Sequence, residues 1–585
     1  MARLMVCYRC IDQTSLAERN DQVSLMADIF RAAQGVTVWL GEEDEYTLDA
    51  CTVIERIAAI PREEWTKVPY TGFFDGEGAC YREVGVEPLS YQNWLGFIAF
   101  MNRPYFSRAW VVQELAVARK VNVVCGSRVL SWAQLSRTIE FVRETRWYHH
   151  LWTDKMRHIR ELNQRPGIYR KLLASNTKFG LEPVYLNSTR SALQAYEQGG
   201  NKGAPSLRLL VDTHRYTHAT DPRDKVFAFL GLASRTSSST NQIEPNYETS
   251  TRQVYTDAAC SLLRTYRNLY LLSHVQDRSL TKTRGLPSWV PDYSVPISPY
   301  PLDFRGNCSW SACGKIRWTP PKDETMLDRG LLPVQGFHVD TIAETAVMPH
   351  EAADAGEPWA SIVNMVSRLP NPYPIPSFKG ASISRLDVLW RTLTTNTYSR
   401  QHPAPAECGI LFIDYILNLQ IRHRLRPWSS PDFQPHSTPL STLTNPDWRS
   451  LIESEPQGSP YNISFYRKRL TGLVENMLSS NSYTPLDLTQ LHHDIENGSG
   501  RMRRVFRTSD LMLLGTGAKA LRAGDEVWIL GGGKVPYILQ PVKDRTGSET
   551  TPGKTHRLLG EAYVHGLMHG DPRRFGKELV STVLI

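Results

Sequence analysis

Several cysteines have spacings that would suit redox or metal chemistry. Cys7 and Cys10 form a Cys-x-x-Cys pair, which would need a strand before it and a helix after it, or a second pair. Cys308 and Cys313 have four residues between them, a spacing unsuited to a zinc knuckle. The count of nine cysteines is odd, and the first residues show no apolar signal segment. We therefore expect reduced thiols and no metal site.

Three further patterns match well-known sites only in part. "GTGAKA" from Gly515 fits a dinucleotide loop but leaves no room for the helix that should follow. "PGKT", which contains Lys554, lacks the earlier glycine of a P-loop. His565 and His569 fall on a predicted strand and turn, where their spacing does not converge on a metal. Since there is also no Gly-x-Ser-x-Gly elbow, the standard hydrolase, nucleoside-triphosphatase and metalloprotease classes are excluded.

The elements that would position any site follow an α/β order over residues 1–145. Apolar residues recur at helical spacing over 19–34, where Asn20 or Asp21 could cap the helix start. The strand "VTVWLG", a helix that Pro61 ends, and the strand "VNVVCG" follow, before a helix that Ser131 could cap. This order predicts an α/β domain with a parallel sheet.

The remaining chain divides by composition into three further regions. Residues 146–345 are predicted to be mainly helical, with an extended Pro-rich segment and short strands around 300–340. Within them, "DPRDK" (221–225) reads as a helix start capped by Asp221 and therefore as structural. Residues 346–500 are irregular or helical with loops, and residues 501–585 form a small β-rich, barrel-like module.

Charge and hydropathy limit the environment and the partners. The 585 residues carry a net charge of +8, and no apolar run approaches the roughly 18 residues of a membrane helix. The densest basic cluster, "RMRRVFR" (501–507), is interpreted as a solvated linker before a β segment, with a nucleic-acid patch as the alternative. We expect a cytoplasmic protein that contacts neither membrane nor nucleic acid.

Two blocks of the sequence resemble the fungal heterokaryon-incompatibility (HET) domain. The first reads "CIDQTSLAERNDQVSLMADIFRAAQGVTVWLG", and the second reads "NRPYFSRAWVVQELAVA". The first block matches the family at Cys10, Ile11, Asp12, Gln13, Gln22, Val23, Met26, Trp39, Leu40 and Gly41, and the second at Arg103, Phe106, Arg108, Trp110, Gln113 and Glu114. "ATDPRDKVFAFLGLA", "LPSWVPDYS" and "GEAYVHGLMHGD" resemble segments that commonly follow the domain in such proteins.

The start of the family pattern is expected to be missing from this chain. The family domain begins with a Tyr-x-Ala-Leu-Ser-Tyr-x-Trp-Gly block and a Leu-Trp-Ile-Asp strand, whereas "MVCYRCIDQ" places Cys7 where the family usually has Asp. We therefore expect a HET domain over 1–145 that lacks its first strand and loop.

HET domains in turn resemble the Toll/interleukin-1-receptor (TIR) fold, some members of which cleave NAD with a glutamate in a Trp-x-x-x-Glu block. Trp110 and Glu114 have that spacing, which on a helix places both on one face. The resemblance implies Glu114 as a catalytic carboxylate, because the transition state of such cleavage is cationic. Arg103 or Arg108 could meet phosphates. NAD would be a substrate, and no cofactor is otherwise expected.

Structural alternatives stand beside each of these roles. Trp110 could belong to the core, and Glu114 could pair with Arg108 or Arg119. Asp12 and Gln13 follow a predicted strand, where α/β sites often lie, but they could equally form a helix cap. Gln113 is a further candidate for the pocket.

Three functions follow from the resemblance. The first is an incompatibility protein whose HET domain triggers cell death after contact with a protein partner or self-association. The second is a TIR-like NAD glycohydrolase, and the third is an inactive paralogue that only binds a partner.

Overall fold

The structure is a computed structural model, and it describes most of the chain. The described residues are 11–12, 14–68, 81–82, 84–145, 147, 182–199, 203–233, 243–303, 310–348, 356–375, 383–399, 401–424, 446–455, 502–542 and 555–585, with separate short pieces between 461 and 495. They form two compact units, Met1–Ala258 and Ala259–Ile585. Among these residues, no helix is long and apolar enough to cross a membrane.

The first unit contains a small mixed sheet. Its strands, in the order β1–β2–β3, are β1 (Val36–Trp39), β2 (Val121–Cys125) and β3 (Arg128–Ser131). β1 and β2 run parallel, but β2 and β3 are antiparallel. The two strands expected from the sequence, β1 and β2, pair in parallel as predicted, but β3, which was not predicted, makes the sheet mixed. Only two residues link β2 to β3, and such a short loop reverses the chain. One of them, Gly126, has a φ of 55°.

Helices cover one face of this sheet and continue the unit beyond it. They are α1 (Leu16–Ala32), α2 (Thr47–Ala59), α3 (Tyr91–Met101), α4 (Ala109–Ala116), α5 (Trp132–Glu144), α6 (Glu182–Glu197), α7 (Leu207–Thr213), α8 (Asp224–Leu230) and α9 (Thr251–Tyr266), with short 3-10 turns at Arg62–Lys67 and Pro104–Ser107. α5 packs on β2 and β3. One residue of each strand, Val38 of β1, Val123 of β2 and Leu130 of β3, is buried.

The observed N-cap is the predicted residue at α5 but a different residue at α1. Ser131 caps α5 through a reciprocal capping box with Gln134, as expected. α1 begins earlier than predicted, and its cap is Ser15, whose hydroxyl accepts a hydrogen bond from the Glu18 amide at 3.2 Å. Asn20 lies inside the helix and uses its side-chain oxygen for a long-range contact instead.

The first unit does not end near residue 145. α4 packs against α1, and also against α6 and α8 from the segment that the sequence assigned to a separate helical region. The helical content predicted there is present in the described part, but the boundary predicted at 145/146 falls inside a compact unit.

The second unit is organised around one long strand. β4 (Leu332–Val347) runs across the boundary predicted at 345/346, where the sequence pattern had indicated only short strands. Its first half pairs with β11 (Val580–Leu584) and β7 (Glu526–Leu530), and its second half pairs with β5 (Arg503–Thr508). A strand of 16 residues can serve two sets of neighbours because its register shifts between His338 and Asp340 and again between Ile342 and Glu344.

These pairings close a barrel. β4, β11, β9 (Thr555–Glu561), β8 (Tyr537–Pro541) and β7 form a ring, since β7 returns to β4. β5, β6 (Leu514–Ala518) and β10 (Tyr563–Val564) extend the sheet beyond the ring. The barrel-like module expected over 501–585 therefore takes an essential strand from outside that range.

Helices pack against this sheet around a second core. They are α10 (Thr325–Asp328), α11 (Gly356–Ser367), α12 (Arg385–Leu393), α13 (Cys408–Arg424) and α14 (Pro446–Glu453), with 3-10 turns at Tyr270–His274, Arg278–Leu280 and Pro572–Phe575. The core includes the buried rings of Trp359, Trp390 and Trp448.

The basic cluster at 501–507 is not a solvated linker, which corrects the interpretation from sequence. Its arginines from Arg503 onward lie on β5, and Arg503 is only 1% exposed. The Arg503 guanidinium donates to Glu561 Oε1 at 2.9 Å and to the Tyr300 carbonyl at 3.0 Å. Burial raises the pKa of Glu561, and the Arg503 charge opposes that rise. The apolar surroundings therefore make this a costly pair to break.

Replacing Arg503 by Met should lower the free energy of unfolding by about 3–5 kcal/mol, because Glu561 would stay buried without its cation. Arg573→Ala is the matched control, since the Arg573 side chain is 71% exposed and lies 3.9 Å from Asp571. Denaturant unfolding of both variants measures the difference. Equal stability of the two variants would contradict the structural importance of the buried pair.

Candidate active site

Helix α4 carries three of the residues singled out from the sequence. It follows the Pro104–Ser107 turn, and the backbone of Arg108 forms its N-cap. Trp110 and Glu114 are four residues apart on this helix and are both half-buried, whereas Gln113 is 1% exposed. The structure thus brings Trp110 and Glu114 to one face, as their spacing predicted.

Glu114 lies where its ionisation depends on nearby groups. Burial raises the pKa of the carboxyl group, and the Arg108 charge and a hydrogen bond from Tyr105 oppose that rise without cancelling it. The Tyr105 hydroxyl donates to Glu114 Oε2 at 3.2 Å. Arg108 therefore acts on Glu114 as a nearby charge, although the two do not form a close ion pair among the described contacts. A half-buried carboxyl group with a raised pKa is suited to acid–base or electrostatic chemistry.

Trp110 faces a second acidic residue that comes from α8. Asp224 is 8% exposed, and its pKa is raised by burial, while hydrogen bonds from Tyr247 and Trp110 oppose the rise. The Tyr247 hydroxyl donates to Asp224 Oδ1 at 2.5 Å. Trp110 is therefore close enough to Asp224 to affect the ionisation of that carboxyl group.

Tyr247 is fixed by two arginines. The guanidinium of Arg19 lies 3.8 Å from the Tyr247 ring centre, and that of Arg223 lies 5.2 Å from it. Asp221 pairs with Arg223 at 2.7 Å and with Arg19 at 3.4 Å, which neutralises part of this charge. Arg223 also donates to the carbonyls of Tyr247 and Thr249. The "DPRDK" segment therefore makes structural contacts and helps to hold the Tyr247 ring. The predicted cap was wrong, because α8 has Arg223 at its N-cap and Asp221 instead accepts from the Arg223 amide one turn earlier.

Gln113 points into the packed interior of the unit. It lies against Ala27 and Gly231, and a Cβ atom at Gly231 would come within 2.4 Å of Gln113 Nε2 and 2.6 Å of Ala27 Cβ. Gln113 Oε1 is buried without a hydrogen-bond partner among the residues the structure describes. Gln113 therefore sets how closely the end of α8 can approach α4.

Arg190 and Lys225 hold the backbone around α4. Arg190 is buried and donates to the carbonyls of Leu115 and Ala118, at the end of the helix where backbone acceptors are otherwise unpaired. Lys225 donates to the carbonyls of Arg215 at 2.8 Å and Thr217 at 2.6 Å, which lie in the segment between α7 and α8. Burial, assisted by the Arg215 charge, lowers the pKa of Lys225 to about 7.

Arg103 closes the loop that follows β1. Its guanidinium donates to the carbonyls of Leu40 at 2.9 Å and Glu42 at 3.0 Å, and it pairs with Asp44 at 2.8 Å. These contacts occupy most of its donors with protein groups, so the structure favours a structural role over contact with a phosphate.

The first predicted site segment is only partly described. Asp12 is exposed, and its Oδ1 accepts hydrogen bonds from the Thr14 amide at 2.8 Å and hydroxyl at 2.6 Å, which lower its pKa. These are the hydrogen bonds of a local turn. The helix-cap alternative does not hold for Asp12, because Ser15 caps α1. Gln13, Cys7 and Cys10 lie outside the described residues. The described part of the chain contains no group of three or more His, Cys, Asp or Glu side chains that could hold a metal.

Several residues that form hydrogen bonds at or around the site were not predicted from the sequence. Tyr105 lies immediately before the Phe-x-Arg-x-Trp pattern of residues 106–110 and could have been noticed as a possible hydrogen-bond donor to the candidate carboxylate. Asp224 had a signal in "DPRDK", but Tyr247 and Arg190 stand in ordinary polar segments with none.

Comparison with known proteins matches both ends of the chain. Residues 6–114 match the family described as "Heterokaryon incompatibility protein (HET)". The chain carries a HET domain. Residues 487–575 match the Het-6 β-barrel domain, and no solved structure matches the chain. The "Heterokaryon incompatibility protein 6, OR allele" of Neurospora crassa is 24% identical to it over 611 residues, which cover 96% of this chain and 80% of that protein.

Both matched segments are shorter than the units that contain them. The HET match ends at Glu114, whereas Arg190, Asp224 and Tyr247 hold α4 from further along the chain. The barrel match omits β4 and β11, which close the ring. The compact unit that contains the HET match therefore extends to residue 258, and the ring that contains the barrel match is closed by β4 and β11.

Gly231→Ala should destabilise the first unit by about 1–3 kcal/mol, because the new methyl group would overlap Gln113 and Ala27. Gly203→Ala is the control, since a Cβ atom there meets nothing within 4 Å. Thermal unfolding measures both variants. If Gly231→Ala melts with the wild type, the close approach of α8 to α4 is not a constraint on the fold.

Proposed function

We propose that this chain is a fungal heterokaryon incompatibility protein of the non-self recognition type. The observation that carries the proposal is the pairing of a HET domain with a Het-6 barrel domain in one chain. The similarity to the Neurospora protein extends over nearly the whole chain, so the order of the segments agrees as well. In this proposal the HET domain produces cell death, and the trigger is a protein partner or self-association.

The test is to express the full chain in a fungus that lacks it and to fuse that strain with strains of different genotype. We expect death of fusion cells in at least one pairing, scored with a vital dye. Trp110→Ala should reduce the killing, because it removes a half-buried indole of the HET match from the face of α4 that carries Glu114.

Leu209→Ala is the control for that experiment, since Leu209 is 56% exposed. Survival of wild-type fusion cells in every pairing would refute an incompatibility role. A fluorescent fusion in the same strains tests the cytoplasmic location, which is still a prediction.

A second candidate function is TIR-like cleavage of NAD. It is favoured by Glu114, which has a raised pKa, a hydrogen bond from Tyr105 and an aromatic neighbour one helical turn away. In the reaction the bond from ribose C1 to the nicotinamide nitrogen breaks, and nicotinamide leaves with the electron pair. Water adds its oxygen to C1 and releases one proton, giving ADP-ribose. An ionised Glu114 would stabilise the cationic sugar in the transition state.

Glu114→Gln should abolish NAD consumption by the purified full chain while leaving its melting temperature near that of the wild type. The substitution keeps the shape of the side chain and removes its charge, which the transition state requires. Glu140→Gln, on α5, is the control. Equal loss of NAD with the wild type and Glu114→Gln would exclude Glu114 as the catalytic group.

The pH profile gives a second measurement of the same prediction. If the carboxylate is the active form, turnover rises with pH through the raised pKa of Glu114. Arg108→Ala should shift the rise in turnover to higher pH, because the positive charge that opposes the increase in the Glu114 pKa is lost. Arg119→Ala should leave it in place. If the wild-type chain kills fusion cells but consumes no NAD, the incompatibility role stands and the NAD-cleaving function fails. An inactive paralogue that only binds a partner would neither kill nor consume NAD.

A further inference from the structure

The small sheet of the first unit has an apolar row on its exposed face. The pairing register places Trp39 beside Val124 and Val124 beside Val129, so the three residues form one row across the strands. Trp39 is 51% exposed, Val129 is 66% exposed, and Val124 is partly exposed. The neighbouring row through Val38 points to the other face and is buried, because side chains alternate along a strand.

Trp39 is the unexpected member of this row. It is one of the residues by which the sequence resembles the HET family, and the residues on either side of it, Val38 and Leu40, are 0% and 6% exposed. Parallel strands are normally covered on both faces, and a tryptophan on a contiguous apolar surface is typical of an interface.

We propose that the open face, defined by the row Trp39, Val124 and Val129, binds the same face of a second copy of the chain. The proposal rests on the proposed incompatibility function, because it makes self-association the trigger. The charges at the two ends of the face are what favour a second copy over another partner.

One end of the open face is acidic. Glu42 and Glu45 lie in the loop after β1, are exposed, and form no ion pair among the contacts of the described residues. The two acidic residues between them are paired with arginines. This loop lies beside the β2–β3 turn, since the Gly126 amide donates to the Gly41 carbonyl at 2.9 Å.

The opposite end is basic. Arg119 and Lys120 directly precede β2 and are exposed, and within the described part of the chain neither has an ion-pair partner. The Val36 amide, at the start of β1, donates to the Lys120 carbonyl at 2.8 Å. The basic pair therefore lies where both parallel strands begin and the acidic pair where they end, separated by a strand length of roughly 13 Å.

This polarity selects one arrangement of two copies. A two-fold axis along the strands would bring the acidic ends together, and like charges that face each other oppose binding. An axis across the strands makes the sheets antiparallel, so that Glu42 and Glu45 of each copy face Arg119 and Lys120 of the other. The strands have only four or five residues, so the interface is small and the dimer should be weak and concentration-dependent.

The experiment reverses the charge of each end in the full chain and measures the mass by sedimentation over a concentration series. Glu42→Lys with Glu45→Lys, and Arg119→Glu with Lys120→Glu, should each raise the dissociation constant of the dimer by about tenfold or more. An equimolar mixture of the two variants should dimerise again, because each reversed acidic end then faces a reversed basic end. High salt should weaken the wild-type dimer by screening these charges.

Matched controls separate the open face from general surface effects. Glu63→Lys with Glu248→Lys changes the charge by the same amount at two exposed positions outside the sheet and should leave the dimer intact. Trp39→Ser should raise the dissociation constant by about tenfold or more, because it removes the largest apolar side chain of the row. Tyr196→Ser, at a ring that is 47% exposed on α6, should have little effect.

The outcomes are decisive in each direction. A wild-type chain that stays monomeric at its highest soluble concentration would overturn the inference. So would a dimer that survives both charge reversals, or one that the mixture does not restore. If Trp39→Ser does not fold, the charge variants alone decide, since they alter only exposed positions. A wild-type chain that dimerises through this face without killing fusion cells would contradict the incompatibility function and leave the interface standing.

Discussion

The first unit depends on which groups form hydrogen bonds with the backbone at the two ends of helix α4 once the helix is buried. An eight-residue helix leaves unpaired backbone groups at both ends, and burial makes each of them costly. Arg190 supplies donors at its C-terminal end, and the Ala109 amide at its start donates to the His218 carbonyl at 2.9 Å. Both partners lie beyond residue 180, so α4 can be buried in its observed form only when that later segment is folded against it.

The second unit shows the same dependence in a sheet. An open sheet would leave the edges of β7 and β11 exposed, and closure by β4 removes them. Because β4 also pairs with β5, one strand joins the ring to the extension of the sheet. The Arg503–Glu561 pair is enclosed in this unit with hydrogen bonds to the Tyr300 and Leu302 backbone, which explains why a basic run is tolerated in its interior.

Local order could be predicted from the sequence, whereas long-range pairing could not. The strand at Val36–Trp39 and the Ser131 cap depend on neighbouring residues, so periodicity and capping preference were enough. The strand β3 itself was not predicted, although Gly126 marks the two-residue turn that precedes it. The length of β4 was missed because its pattern is broken by two register shifts. Asp224 and Tyr247 stand in segments whose composition does not indicate their partners, since a hydrogen bond between distant residues leaves no periodic signal.

The candidate site depends both on neighbouring residues and on residues far away in the sequence. Its chemistry is local, because Tyr105 and Arg108 lie within nine residues of Glu114 and act on it through a short turn. Its geometry also depends on distant residues, because α4, which carries Glu114, is held by Arg190 and by the His218 carbonyl. The ionisation of Glu114 therefore depends on neighbouring residues, while the placement of its helix depends on the later segment. The HET match ends at Glu114, whereas the folded unit that supports the site continues to residue 258.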